Sequence, residues 1–329
     1  MLLFWLGFFA LVAVLLYVDL AVLHKKQEEV TMASALGWTI VWVCLGLAFS
    51  GVVYVMYDRH LGGATLPDGD GGDAAITYVS AYLLEQALSV DNLFVITLVF
   101  ASWKIPTKYQ HRVLFWGILG AVVFRVSLLS GGAYVVERFH WVFYIFGAYL
   151  AYQGAKLMLP ERDDDNQGES TVYKFLRRFV RVVEAKDHAY VFSVQINGRR
   201  ALTTAFVCLI VIELTDIVFA LDSIPAVMSV SHEPFIMVTS NVFAILGLRS
   251  LYFVLAGAMA KFKYLKYALA VLLMVIGGKM LLHTVDVVHD LPNVFWLGVI
   301  AGILAIGVAA SLIATRGQPI EAAPIDPAE

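Results

Sequence analysis

Three carboxylates, Glu213, Asp216 and Asp222, lie within the run 212–227 (IELTDIVFALDSIPAV), which is otherwise apolar enough to cross a bilayer. An ionised carboxylate at mid-bilayer depth costs about 2.5–3.5 kcal/mol on insertion scales, so three cost on the order of 10 kcal/mol unless something cancels their charge. A second run, EQALSVDN at 85–92, aligns with the first on its final acid. Glu85 then falls on Asp216, Asp91 on Asp222 and Asn92 on Ser223. The shared pattern of acid, five residues, Asp, then a small amide or hydroxyl indicates a duplicated site.

Glu85, Asp91, Asn92, Glu213, Asp216, Asp222 and Ser223 offer only hard oxygen donors. Such a set suits Mn(II), Mg(II) or Ca(II) rather than Zn(II) or copper, and residue type alone does not separate those three. The eight histidines, at 24, 60, 111, 140, 188, 232, 283 and 289, all fall in loops or at span ends. Zinc or nickel would call for imidazole at mid-membrane. Cys208, five residues before Glu213, reads as a small buried hydrophobe.

At about 100° per residue, Glu85, Ser89 and Asn92 share one helix face, as do Asp216, Ala220 and Ser223, with Glu213 about 60° away. Asp91 and Asp222 lie about 120° off those faces. Either they serve other contacts or the helix breaks to bring them round. Pro225 predicts such a break beside Asp222, because its missing N–H frees the carbonyl of Leu221. Arg125 and Arg249 lie equally deep and need anions there, as ion pairs that alternate with a bound cation or as static bridges between helices. Asn241 is read as a cap of the site or an interhelical hydrogen-bonding group. Lys156 and Lys279 lie near span ends, where snorkelling to the interface accounts for them unless they support the site. Asp19 is a further candidate for the ion path. No group is assigned a catalytic role: an intramembrane aspartyl protease would want GxGD, which the chain lacks.

The elements that must position these groups are membrane helices. Of 329 residues 60% are hydrophobic and 15% charged, against a soluble norm of about 25% charged. The formal net charge of -3 therefore says little about partners, and no nucleic-acid partner is expected. Apolar runs predict an all-α polytopic protein with nine spans, at 2–23, 34–57, 74–102, 111–135, 140–159, 201–230, 235–259, 262–282 and 293–314. The first run lacks a basic n-region and a cleavage site and is read as a retained helix. Lys25, Lys26, Lys104, Lys108, Arg112, Lys261, Lys263, Arg316 and the arginines of 160–200 all fall on one side if the N-terminus is outside. By the positive-inside rule that side is the cytoplasm, where the C-terminus also lies.

The expected organisation is 1–73, two helices and an outer loop; 74–159, a three-helix unit; 160–200, a cytoplasmic insert; 201–282, a second three-helix unit; 283–314, a ninth helix; and 315–329, a disordered cytoplasmic tail. Within the insert, Leu176, Phe179, Val180 and Val183 predict an amphipathic helix on the membrane surface, and FSVQINGRRAL predicts a hairpin turning at Asn197-Gly198. The duplication extends past the acids. Arg125 matches Arg249, and GAKLML at 154–159 matches GGKMLL at 277–282, setting Lys156 against Lys279. Units of three spans place the copies in opposite orientation, the inverted repeat of transporters that bind substrate at the repeat interface.

EQALSVDNLFV, IELTDIVFALDSIPAV and SNVFAILGLRSLYF resemble the TerC family, especially its Alx-type members, and the likeness runs over nearly the whole chain. The resemblance implies a multi-pass bacterial inner-membrane protein of the wider LysE-like transporter group, associated with tellurium resistance by name and with Mn(II) export in Alx-like members. Acids implicated in that export fall on Glu85, Asp91, Glu213, Asp216 and Asp222. The expectation is therefore a secondary transporter, with Mn(II) as transported substrate rather than cofactor, proton antiport as a natural coupling, and the lipid bilayer as surroundings. Two alternatives stand beside it: a membrane scaffold or assembly factor linked to tellurium and other stress resistance, and an exporter of another divalent cation such as calcium. The sequence sets no oligomeric state.

Overall fold

A bilayer core offers no water to the backbone, so long apolar segments close their hydrogen bonds internally as helices. The computed structural model describes residues 1–19, 32–66, 69–102, 105, 107–139, 141–158, 182–183, 193–196, 199–256, 264–282 and 291–315. Its helices are α1 (Leu2–Val18), α2 (Met32–Asp58), α3 (Gly71–Ser102), α4 (Thr107–Arg138), α5 (Trp141–Met158), α6 (Thr204–Met228), α7 (Pro234–Leu246), α8 (Leu248–Ala256), α9 (Leu265–Leu281) and α10 (Asn293–Ala314). Three short strands, β1 (Val182–Val183), β2 (Ser193–Ile196) and β3 (Arg199–Thr203), precede α6.

Helix starts follow local chemistry. Asp70 Oδ1 accepts from the backbone N–H groups of Gly72 and Asp73 at 2.7 and 3.1 Å, and Asp73 Oδ2 accepts from Asp70 N at 3.3 Å, a reciprocal capping box for α3. Thr203 Oγ1 caps α6 by accepting from Phe206 N at 3.1 Å. Pro234 occupies the first turn of α7, where its missing N–H costs nothing.

Among the described residues five helices are long and apolar enough to cross a membrane, and the bent pair α7–α8 makes a sixth span if counted as one. The other three candidates, α1, α5 and α9, have 17, 18 and 17 residues. At 1.5 Å per residue they reach only about 25–27 Å, the low end for a hydrocarbon core of about 30 Å.

Two local expectations are corrected. Pro225 does not break its helix: α6 runs continuously through it, because the proline sits three residues from the end and removes a single bond. The break lies instead at Gly247, where α7 and α8 meet at 45°. In the insert, β2 pairs antiparallel with β3 in the register Ile196↔Arg199, and the predicted turn at Asn197-Gly198 lies outside the described residues. Val183, assigned to a surface helix, belongs to a strand parallel to β3. The rest of that expected helix, the acidic run after Leu159 and the tail after Thr315 lie outside the described residues.

The two three-helix units, α3–α5 and α6–α9, interleave. The first helix of each packs on the second span of the other, α3 on α7 and α6 on α4, and the third helices, α5 and α9, pack on each other. An aromatic cluster of Phe8, Phe49, Tyr78, Phe235 and Phe243 joins α1, α2, α3 and α7, with Phe49 and Phe243 ring centroids 4.7 Å apart.

α5 and α9 touch backbone to backbone. A Cβ at Gly277 would stand 2.6 Å from both Ala151 N and Gly147 O, and one at Gly154 would stand 2.6 Å from Ala270 O. Small residues permit such approach and maximise dispersion contact where lipid offers no hydrophobic drive. Gly278, one residue on, faces open space. Gly277→Ala is therefore expected to destabilise by about 1–3 kcal/mol while Gly278→Ala does not. The check is thermal unfolding of both variants in detergent.

Candidate functional site

Glu85 and Arg125 sit well inside α3 and α4 and are 0% and 1% exposed. Arg125 Nη1 forms an ion pair with Glu85 Oε1. Its Nη2 and Nε donate to the two carboxylate oxygens of Asp216 at 3.0 and 3.3 Å, the bidentate geometry for which a planar guanidinium is suited. Nη1 also donates to Ser223 Oγ at 3.3 Å and Asn241 Oδ1 at 3.2 Å. One side chain thus ties together α3, α4, α6 and α7. The helical spacing explains the shell around it: Ser89 Oγ donates to Glu85 Oε1 at 3.2 Å, and Asn92 Nδ2 reaches Asp216 Oδ1 at 3.5 Å.

The centre is not saturated. Glu85 Oε2, Asn241 Nδ2 and Glu213 Oε2 are buried with no hydrogen-bond partner. Glu213, one turn before Asp216 and close enough for their charges to repel, points at α4. There Gly120 makes the recess, because a Cβ at that position would collide with the Glu213 carboxylate. Two carboxylates, Glu85 and Asp216, therefore share one guanidinium, and Glu213 adds a third acid beside Asp216.

Asp222 faces the other way, as its 120° offset requires. Gln153 Nε2 on α5 donates to its oxygens at 3.3 and 3.5 Å and to Tyr149 Oη at 3.1 Å, and the Tyr149 hydroxyl bonds Asp222 in turn. A cavity of about 30 Å³ lies between α3, α6 and α9, with Asn92, Asp222 and Ser223 on its polar side and Leu88, Leu269 and Leu273 opposite. Gln153 and Tyr149 were not singled out in the sequence. Their signal was two polar groups four residues apart in an apolar run, and it becomes legible only once α5 is known to face α6.

The remaining candidates divide. Arg249 pairs with Asp19: its Nη2 donates to Asp19 Oδ1 at 2.6 Å and to Asp19 O at 3.4 Å. Asp19 is accordingly a partner of Arg249. Lys279 Nζ donates to Ser229 O at 2.7 Å at the end of α6 and stands 4.8 Å from the Trp296 ring centroid. Lys156 is exposed on α5, within electrostatic reach of Asp222. The Asp91 side chain lies outside the described residues. Among the described residues, no three His, Cys, Asp or Glu side chains converge as a ready-made metal shell. The arginine occupies the middle of the acids instead.

At one end of the bundle, Tyr57 Oη donates to Glu233 Oε2 at 3.4 Å. Burial holds the Glu233 carboxyl above the usual carboxylate range, and the tyrosine bond offsets part of that rise.

These features define a polytopic helical membrane protein built from two interleaved three-helix units around a buried charged centre. Sequence comparison gives its family: residues 70–319 match the Integral membrane protein TerC family, and the chain belongs to it. An uncharacterised membrane protein of Myxococcus xanthus, STKORF319, is 42% identical over 96% of this chain and 93% of its own. A protein of Escherichia coli K12, whose name proposes a membrane-bound redox modulator, Alx, is 40% identical over 92% of both chains. A membrane protein of Rickettsia bellii is 36% identical over 94% of this chain and 97% of its own. No solved structure matches.

Removing one partner of a buried ion pair strands the other charge, at about 3–5 kcal/mol. Arg125→Gln should therefore reduce folded protein in the membrane, and the double variant Glu85→Gln/Arg125→Gln should recover much of it. Size-exclusion yield after detergent extraction measures both.

Proposed function

We propose that this protein is a secondary transporter that exports Mn(II) across the bacterial inner membrane through the Arg125-centred carboxylates. The observation that carries the reading is the charge balance of that centre. Glu85 and Asp216 pair with Arg125, Glu213 lies next to Asp216 with no ion pair of its own among the described residues, and Glu85 and Glu213 each keep a buried oxygen without a partner. Two uncompensated negative charges and orphaned acceptors complement one divalent cation bound by hard oxygen ligands. Mn(II) is preferred over Mg(II) and Ca(II) because Alx-type members of the family are associated with manganese export.

The cation binds the acids in competition with Arg125, whose guanidinium holds them while no cation is present. On release, two protons on two carboxylates replace the two positive charges, so exchange of one Mn(II) for two H⁺ leaves the centre neutral. The positive-inside distribution orients the chain with its N-terminus outside and its C-terminus in the cytoplasm. A purely static role for Arg125 predicts no dependence of acid accessibility on cation.

Glu85→Gln and Asp216→Asn, each of which leaves Arg125 the other acid, are expected to lower Mn(II) efflux per folded molecule roughly tenfold or more. Efflux from loaded vesicles carrying purified protein measures this, with the imposed pH gradient varied. Unchanged efflux in both variants would favour a scaffold whose activity does not depend on charge. Efflux indifferent to the pH gradient would remove proton coupling.

A further inference from the structure

We infer that the exported cation has a second station, formed by Asp222 with Gln153 and Tyr149 of α5, next to the Arg125 cluster and joined to it through Asn92 and Ser223. The inference rests on the transporter reading for the identity of its cargo and on independent geometry for its place.

Asp222 takes no part in the Arg125 hydrogen bonds among the described residues. It borders the cavity between α3, α6 and α9 and receives an amide and a hydroxyl from α5. Tyr149, Gln153 and Lys156 recur at four- and three-residue spacing, so one stripe of α5 addresses this single carboxylate. Asn92 and Ser223 have two memberships: both line the cavity, and both hydrogen-bond within the Arg125 cluster, Asn92 to Asp216 and Ser223 from Arg125. A cation leaving the cluster therefore meets Asp222 without passing through an apolar gap.

The chemistry of the α5 stripe fits a ligand set that switches. With no cation bound, Gln153 turns its N–H₂ toward Asp222, and the nearby Lys156 charge offsets the carboxylate. A glutamine amide carries a donor and an acceptor on one rotor. Rotation by half a turn presents its carbonyl oxygen to a cation held at Asp222, the residue that meets both the α5 groups and the cavity lined by Asn92 and Ser223. The cavity of about 30 Å³ exceeds the space one water needs, roughly 10–15 Å³ by the same measure, so a cation can keep part of its hydration there. The apolar wall from Leu269 and Leu273 belongs to α9, which is locked to α5 by Gly147, Gly154 and Gly277. The station thus lies on the seam between the four-helix cluster around Arg125 and the α5–α9 pair.

The test changes ligand softness at position 153. Gln153→Cys places a thiolate beside Asp222, and thiolate prefers Cd(II) far more than an amide does. Cd(II) affinity of the purified protein in detergent, measured by isothermal titration, should rise about tenfold or more in Gln153→Cys. Adding Asp222→Asn should cancel most of that rise. Tyr152→Cys, on the exposed side of the same helix, supplies the control and should match wild type. Equal affinities in Gln153→Cys and Tyr152→Cys would overturn the station, as would a rise indifferent to Asp222→Asn. Because Cd(II) titration needs no transport, the two readings separate. An Asp222-dependent rise in a protein that moves no Mn(II) keeps the station and rejects Mn(II) export, whereas efflux without the rise keeps the exporter and rejects the station.

Discussion

A guanidinium buried where lipid surrounds the bundle dictates much of this architecture. Arg125 is costly at that depth unless every N–H is answered, and the answers come from α3, α6 and α7 at once. Such a group contributes little net stability, because its attraction to the acids is spent against their shared desolvation. Its effect is on specificity of arrangement: helices that do not present Glu85, Asp216, Ser223 and Asn241 to one point leave a stranded charge. Gly120 belongs to the same constraint, since its missing side chain gives Glu213 room beside the cluster.

Around this charged centre the packing has two characters. α3, α4, α6 and α7 meet through polar side chains whose bonds can be exchanged, whereas α5 and α9 meet through glycine backbone that permits no gap. Asp222 bridges the two regions through Gln153 and Tyr149. A boundary between a rigid pair and a polar cluster is where relative movement costs fewest van der Waals contacts.

Much of the centre was legible in the sequence, because charge in an apolar run is conspicuous and helical spacing assigns it a face. Glu85, Ser89 and Asn92 were placed on one side of a helix, and Asp222 off the face of Asp216, and the structure has them so. What failed did so where tertiary context decides. Pro225 is a strong local breaker, but so close to the end of α6 it displaces only one bond. The bend at Gly247 leaves only a faint trace, a single glycine before a leucine and an arginine. Gln153 escaped notice because glutamine in a helix is common and only its neighbour across the seam gives it meaning.

The exchange of partners between the two three-helix units bears on how the chain is made. α3 packs on α2 and α7 and α6 packs on α4, so neither unit encloses a core from its own helices. Glu85 and Arg125 enter the bilayer before Asp216 is synthesised, and the first half must wait there with its charges only partly answered. The core around Arg125 is consequently complete only once the second half has joined the first.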